Sequence, residues 1–277
     1  MAAAALNVIV CGAAGRMGTT LTRLIQQNAA LRLAGAIESA ASPQIKKDAG
    51  ELAGVGRIGV ALTADISPLL DGRVIVIEFS TPEATLEHAR AAARKKIPMV
   101  IGTTGSNQEQ LAEMKKLSRR APILLSANMS LGVNLLINLV GTVARTLGDD
   151  YDVEIIEAHH RFKKDAPSGT ALSLGRTIAE ARGRDLESVG INGRKGIVGE
   201  RTKKEIALLS VRAGDIVGDH TILFGGIGER IELVHRAHSR ETFAYGALRA
   251  AQWLVTQKPG LYGMHHVLGF AESKSES

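Results

Sequence analysis

Apolar residues along the chain follow two rhythms, and the change falls near Ser130. Before it, compact apolar runs (Leu6 to Cys11, Leu31 to Ile37, Arg73 to Phe79, Met99 to Ile101, Ile123 to Leu125) read as strands. Helical stretches separate them: one past Gly18 with Leu21, Leu24 and Ile25 on a single face, one from Glu83 to Ala93 with Pro82 in its first turn, one around Leu111 to Leu117. Unbroken apolar strands alternating with helices predict a parallel sheet covered on both faces. After Ser130 comes a long apolar helix, Leu131 to Leu147, then a strand with Val153, Ile155 and Ile156, then a helix from Thr170 to Ala181. Residues 182–204, rich in Gly, Arg and Lys, are expected to form a long exposed loop. Three strand-like runs follow without helices between them, Ile206 to Val211, Asp219 to Phe224 and Arg230 to His238, before a closing helix from Thr242 to Val255. That order predicts an open antiparallel or mixed sheet, and a sheet with one bare face commonly buries it against another copy. The expected fold class is α/β, with a parallel-sheet domain over 1–130 and an α+β domain with an open mixed sheet over 131–240.

The first domain carries a ligand signal. Gly12, Gly15 and Gly18 stand in G-x-x-G-x-x-G spacing directly after the first strand and at the start of a helix. Such glycines let the backbone turn sharply and approach a pyrophosphate, which then sits on the helix N-terminus. Glu38 ends the second strand, twenty residues past Gly18, where a carboxylate accepts hydrogen bonds from an adenosine ribose. In a parallel sheet the loops at Gly12, Ser80, Gly102 and Ser126 open on the carboxyl edge, so Gly102-Thr103-Thr104-Gly105 and Ser126-Ala127-Asn128-Met129 are placed to line the nicotinamide end of a dinucleotide. The plain alternative is a tight strand-to-helix turn, and loops with ordinary turn chemistry.

Composition narrows the class. Of 277 residues 45% are hydrophobic and 22% charged, an ordinary globular balance. Net charge is +6, with a pI of about 9.5, which suits anionic ligands; no dense basic block with interleaved aromatics argues for nucleic acid. The single cysteine, Cys11, forbids an intrachain disulfide and is expected to be a buried, inert thiol. Met1 to Ala5 does not read as a signal peptide, and no apolar run reaches membrane-spanning length, so a cytoplasmic protein without membrane or nucleic-acid partners is expected.

The densest chemistry lies in His159 to Ala171, HHRFKKDAPSGTA. Ser168 is placed to cap the following helix, and Gly169 leaves its N-terminal N–H groups open to an anion. Lys163 and Lys164 add charge, and His159 or His160 could exchange a proton near neutral pH. The pattern points to a substrate with carboxylates that needs protonating; a solvated Lys-rich loop is the alternative. Adjacent histidines on an extended backbone diverge, and His235 and His238 stand three apart on a strand, so no metal site is expected and those two read as solvated or interface residues.

HHRFKKDAPSGTA closely resembles the signature of the 4-hydroxy-tetrahydrodipicolinate reductase (dihydrodipicolinate reductase) family, and GAAGRMG, GTTG, SANM, RAGDIVGDH, GERIEL, HSRETFAYGA and PGLY extend the resemblance over nearly the whole chain. It implies a Rossmann-like dinucleotide domain, with 241–277 packing back on it, and a second domain for substrate binding and oligomerisation in a homotetramer. It implies reduction of a cyclic imine-type dicarboxylate by NADH or NADPH in the diaminopimelate route to lysine. It carries over His159 as acid/base residue, Lys163 as proton donor, and His160, Gly169 and Thr170 as binders of substrate carboxylates. Gly12, Ala13, Ala14, Gly15, Arg16, Met17, Glu38, Gly102, Thr103, Thr104, Ser126, Ala127, Asn128 and Met129 carry over as the cofactor site. Met129 stands where the family has Phe and is expected to pack against the nicotinamide ring. Ser39 follows the ribose-binding acid where the family often has Arg, so NADH is expected to serve at least as well as NADPH, with Arg16 the alternative cation for a 2′-phosphate. Gly263 and His266 replace usual acids of the closing segment and put its local packing in question. A dinucleotide-sensing regulator and a metal-dependent hydrolase are the competing classes.

Overall fold

The structure, a computed structural model, describes residues 4–270, so the first three residues and the tail beyond Phe270 lie outside it. The chain divides into two compact units: everything up to Ser130 together with everything from Glu241 on, and Leu131–Arg240.

In the first unit β1 (Leu6–Cys11), α1 (Arg16–Gln26), β2 (Leu31–Ile37), α2 (Ala49–Leu52), β3 (Leu62–Thr63), β4 (Val74–Glu78), α3 (Pro82–Arg94), β5 (Met99–Ile101), α4 (Gln108–Leu117) and β6 (Pro122–Leu125) follow one another. The strands form a parallel seven-stranded sheet in the order β12-β6-β5-β4-β1-β2-β3, where β12 comes from the returning C-terminal segment. Both faces are covered, which is why β4 reads VIVIE with all five residues buried. Helix starts follow from local chemistry. Thr81 caps α3 with Pro82 in the first turn, and Asn107 and Gln110 form a reciprocal capping box on α4, each bond 2.9 Å. The pieces missed by pattern, α2 and β3, are two to four residues long. Asp48 holds that region, its carboxylate accepting the N–H groups of Gly50, Glu51, Ile58 and Gly59.

The second unit runs α5 (Leu131–Leu147), β7 (Asp152–His159), α6 (Gly169–Ala181), α7 (Leu186–Val189), β8 (Gly190–Ile191), β9 (Ile206–Arg212), β10 (Gly218–Gly225) and β11 (Arg230–Ala237). Its sheet is mixed, in the order β11-β10-β7-β9-β8, with β10 antiparallel to both neighbours and the remaining pairs parallel. One face packs on α5 and α6 through Val153, Ile155, Leu208, Ile222 and Phe224. The expected loop over 182–204 is shorter than the sequence suggests, because α7 and β8 occupy part of it. Extended by a 3-10 turn to Asp150, α5 is also long and apolar enough by mean hydropathy, 1.3, to cross a membrane, which the run-based reading missed. Asn134, Asn138 and Arg145 interrupt the run, while Leu136, Val140 and Ala144 join the core of this unit.

The chain then re-enters the first unit as α8 (Glu241–Leu254), β12 (Gly260–Tyr262) and α9 (Met264–Val267). Helix α8 lies directly on the backbone of the Ser126–Met129 loop: a Cβ on Gly246 would stand 1.7 Å from the Met129 carbonyl oxygen. Arg23 pairs with Glu241 at 2.8 Å at the point of return. The doubt raised by Gly263 and His266 resolves simply, since the Gly263 N–H donates to His266 Nδ1 at 3.0 Å and the imidazole does what a capping carboxylate would.

Candidate active site

The glycine turn of the first unit is built for close approach. Gly12 has φ +72, and a Cβ there would lie 2.3 Å from the Phe79 carbonyl oxygen; one on Gly18 would lie 2.2 Å from the Gly12 oxygen. Within the turn, Ala13 N–H donates to Ile37 O, Gly15 N–H to Gly12 O, and Ala14 N–H to Glu38 Oε2 at 2.9 Å. Those groups hold the turn's shape, leaving the first helical residues, Arg16 and Met17, as the donors facing an anion. A cavity of about 760 Å³ runs from Gly12 and Gly15 past Glu38 and Ser39 to Thr81, Glu87 and His88. A second, about 280 Å³, is lined by Arg16, Met17, Ser80, Gly102, Thr103 and Thr104. The residues fit an extended dinucleotide: a glycine cradle for phosphates, a carboxylate for ribose hydroxyls, and small polar loops beyond. Thr103 is tied by Thr85 at 2.9 Å, and Ser126 donates to Asn128 O at 2.8 Å. The Met129 side chain is only 2% exposed, so it supports its loop from beneath and offers a ring no open face.

Beneath the cavity Cys11, Glu78 and His88 bring potential metal-ligand atoms within 4.8 Å of one another. Glu78 is already satisfied by His88 Nδ1 at 2.6 Å and the Ser80 N–H at 2.9 Å, and burial pushes the Cys11 thiol well above its ordinary range.

In the second unit the predicted segment starts at a strand end and finishes at a helix start. His159 is the last residue of β7 and is buried; Ser168 caps α6, accepting the Ala171 N–H at 3.2 Å. Gly169 and Thr170 form the first turn, and space beside Gly169 is open. Lys163 pairs with Asp165 at 2.8 Å, while Lys164 is exposed. His160 packs near Phe162, ring centroids 6.3 Å apart.

Four residues complete this end of the sheet, and sequence reading passed over three of them, Glu157, Arg212 and His220. Glu157, fully buried, accepts from His159 Nδ1 at 2.6 Å, from both Arg212 Nη atoms at 2.8 Å, and from the Ser168 N–H at 3.1 Å. Burial opposes its ionisation, but hydrogen bonds from Arg212, Ser210 and His159 outweigh that and hold its pKa down to about 2. His220 is 3% exposed, lies edge-on to His159 at 5.3 Å, and contacts Ser168 Oγ at 3.3 Å; burial lowers its pKa to about 4. His235, half-buried, stands 6.5 Å from His220 with its pKa lowered by burial, and His238 falls beyond the end of β11. Burial likewise lowers the pKa of His159, against the opposing pull of Glu157. A period-of-two scan back from His159 would have reached Glu157, but Arg212 and His220 come into range only once strand pairing is known.

A Rossmann-type nucleotide unit joined to a mixed-sheet unit with histidines and lysine at a helix N-terminus is the architecture of a pyridine-nucleotide oxidoreductase. Comparison with known proteins makes this specific. Residues 6–129 match the model for the dihydrodipicolinate reductase N-terminus and residues 132–268 that for its C-terminus, and the chain belongs to the dihydrodipicolinate reductase family. It is 49% identical over 96% of its length to the 4-hydroxy-tetrahydrodipicolinate reductase of Syntrophus aciditrophicus, covering 99% of that protein. It is 52% identical over 95% of its length to that of Syntrophobacter fumaroxidans, again covering 99%. A dipicolinate-bound dihydrodipicolinate reductase from Paenisporosarcina sp. TG-14 shares the fold, with a TM-score of 0.75 over 95% of this chain and 99% of that one, at 24% identity.

The histidine cluster has a stability consequence. His220 titrates near 6.5 when unfolded and near 4 when folded, so its contribution is present above pH 6.5 and is lost as pH falls from 6.5 towards 4. His159 and His235 act in the same direction. Thermal unfolding midpoints should therefore fall between pH 6.5 and 4, and His220→Asn should reduce that fall by on the order of a few degrees. Parallel curves for the two proteins would show that His220 does not titrate in this way.

Proposed function

We propose that the chain reduces 4-hydroxy-tetrahydrodipicolinate to tetrahydrodipicolinate with a nicotinamide nucleotide, in the diaminopimelate pathway of lysine biosynthesis in the cytoplasm. The observation that carries this reading is the grouping of His159, Lys163 and the α6 N-terminus at one end of β7, in a chain whose full length matches the family. The 4-hydroxyl group of the substrate leaves as water, and the bound nucleotide supplies a hydride from C4 of its nicotinamide to the unsaturated ring that results. Gly12 to Met17 hold the pyrophosphate, Glu38 the ribose, and Gly102 to Thr104 with Ser126 to Asn128 the nicotinamide end, the buried Met129 supporting that loop. In the second unit the Gly169 and Thr170 N–H groups and His160 take the substrate carboxylates, where the helix dipole favours an anion. Lys163, a cation now paired with Asp165, is drawn to the dianion and donates the proton that completes reduction; His159, neutral near pH 7, relays it. A regulator or hydrolase would have no use for this pairing of a nucleotide turn with a proton donor beside an anion site.

NADH is the favoured nucleotide. The cavity beyond Glu38 is lined by Ser39, Ala40, Ser42 and Gln44 and by a second acid, Glu87, with no Lys or Arg among its lining residues. A 2′-phosphate there would meet carboxylates unpaired. The outward face of the second sheet is the surface we assign to association of four copies: Ile156, Val211 and Val234 project from it at 38%, 44% and 43% exposure among charged residues such as Glu154 and Arg236, and a partner copy would cover them.

Three measurements test these statements. Supplied with enzymatically generated substrate, the protein should oxidise NADH, and Lys163→Ala should lose about two decades in turnover; an inactive wild type, or a fully active variant, would refute the reaction or the donor. Steady-state comparison should show NADH used at least as well as NADPH, and an NADPH preference above about tenfold, roughly 1.4 kcal/mol, would overturn the cofactor assignment. Sedimentation should give a tetramer, and a monomer at assay concentration would remove the proposed interface.

A further inference from the structure

Across the second sheet one row of residues stands in direct register: Ser210 on β9, Glu157 on β7, His220 on β10 and His235 on β11. Two residues further along β7 and β9, on the same side, His159 faces Arg212. Elsewhere this face is apolar, so the row is a polar band laid across one end of a packed core. A carboxylate fully buried in such a place costs free energy unless its charge and lone pairs are met. Arg212 alone, bidentate at 2.8 Å, meets the charge. Glu157 nevertheless spends one oxygen on the His159 ring and the other on the Ser168 backbone.

The geometry points to Glu157 as a positioning residue that locks His159 into the tautomer carrying its proton on Nδ1, and pins the start of α6 to the same carboxylate. An ionised carboxylate only accepts hydrogen bonds, so the 2.6 Å contact requires the proton on Nδ1 and leaves the Nε2 lone pair free to take a proton. Gly218 keeps room beside that nitrogen: a Cβ there would stand 3.1 Å from His159 Nε2. His220 lies edge-on to the ring, and the cations Lys163 and Arg212 disfavour a second proton on it, so it is Glu157 that holds the affinity of Nε2 up. Through Ser168 the same oxygen pair sets where the first turn of α6 stands relative to that nitrogen. The proton-relaying atom and the carboxylate-binding turn thus share one support. The inference rests on the functional reading above for the roles of His159 and the α6 turn.

Nitrogen NMR of protein labelled at histidine, with His159 assigned from the spectrum of His159→Gln, tests the tautomer without any turnover. Nδ1 protonated and Nε2 unprotonated at a pH of about 7.5, roughly one unit above the free imidazole pKa, is the expected result; an Nε2–H tautomer or a doubly protonated ring overturns the inference. In Glu157→Gln the amide no longer dictates the tautomer, so the Nδ1–H signal should give way to mixed forms. The kcat of this variant should drop about tenfold or more, with the acid limb of its pH profile displaced to lower pH. The KM for NADH, bound in the other unit, should change less than about twofold. Glu157→Asp, which keeps the charge, should restore the Nδ1–H tautomer and the position of the acid limb. If Glu157→Gln retains wild-type kcat and pH profile, the carboxylate does not position the ring; if it fails to fold, the wild-type and Asp spectra decide. An inactive wild type would sink the functional reading, whereas an active wild type with Nε2–H would sink this inference alone.

Discussion

Both units depend on the same interaction, a carboxylate from a neighbouring strand position accepting a backbone N–H of a strand-to-helix connection. Glu38 takes the Ala14 N–H at 2.9 Å in the glycine turn, and Glu157 takes the Ser168 N–H at 3.1 Å at the cap of α6. A helix N-terminus attracts anions only if its turn keeps one shape, because its donors must converge. Each acid supplies that constraint, and each sits where its own charge would repel the ligand unless something offsets it. Glu157 is offset by Arg212. Glu38 carries no such partner, and its lone pairs are suited instead to hydroxyl donors of a sugar.

That difference in charge balance separates the tasks of the two ends. Around Glu38 the cavity is acidic and small-walled, which is the ground for proposing a nucleotide whose ribose is unmodified. Around Glu157 the charges of Arg212 and Lys163 are each matched by one acid, Glu157 and Asp165, and the nearby histidines are neutral near pH 7 because burial lowers their pKa values. Asp165 is 61% exposed at its side chain and is therefore the weaker of the two acid partners. In the proposed reaction that makes Lys163 the cation most easily redirected to an incoming dicarboxylate.

Much of this was legible along the chain. The parallel sheet, the mixed sheet and the change at Ser130 follow from apolar runs and their separations, and the Ser168 cap and the glycine turn carry their own local signatures. The histidine segment stood out because its residues are consecutive. Glu157, Arg212 and His220 did not, because what joins them to one another and to His235 is the register of four strands spread over about eighty positions, a pairing that no local pattern encodes. Met129 shows the same limit in reverse. Its place in a motif suggested contact with a ring, and packing under α8 buries it instead. Similarly, His266 replaces an acid in composition yet accepts the same backbone hydrogen bond, since an imidazole nitrogen and a carboxylate oxygen are both acceptors.

In the proposed reaction a hydrogen carried by a nucleotide on the glycine turn is delivered to a ring held at the start of α6. Its most direct test uses NADH deuterated at the transferred position of C4, enzymatically generated substrate and ordinary water, with the product weighed by mass spectrometry. One deuterium per molecule of tetrahydrodipicolinate is expected. Product formed at the expense of NADH but free of deuterium would contradict direct transfer, and with it the account of why these two sites share one chain.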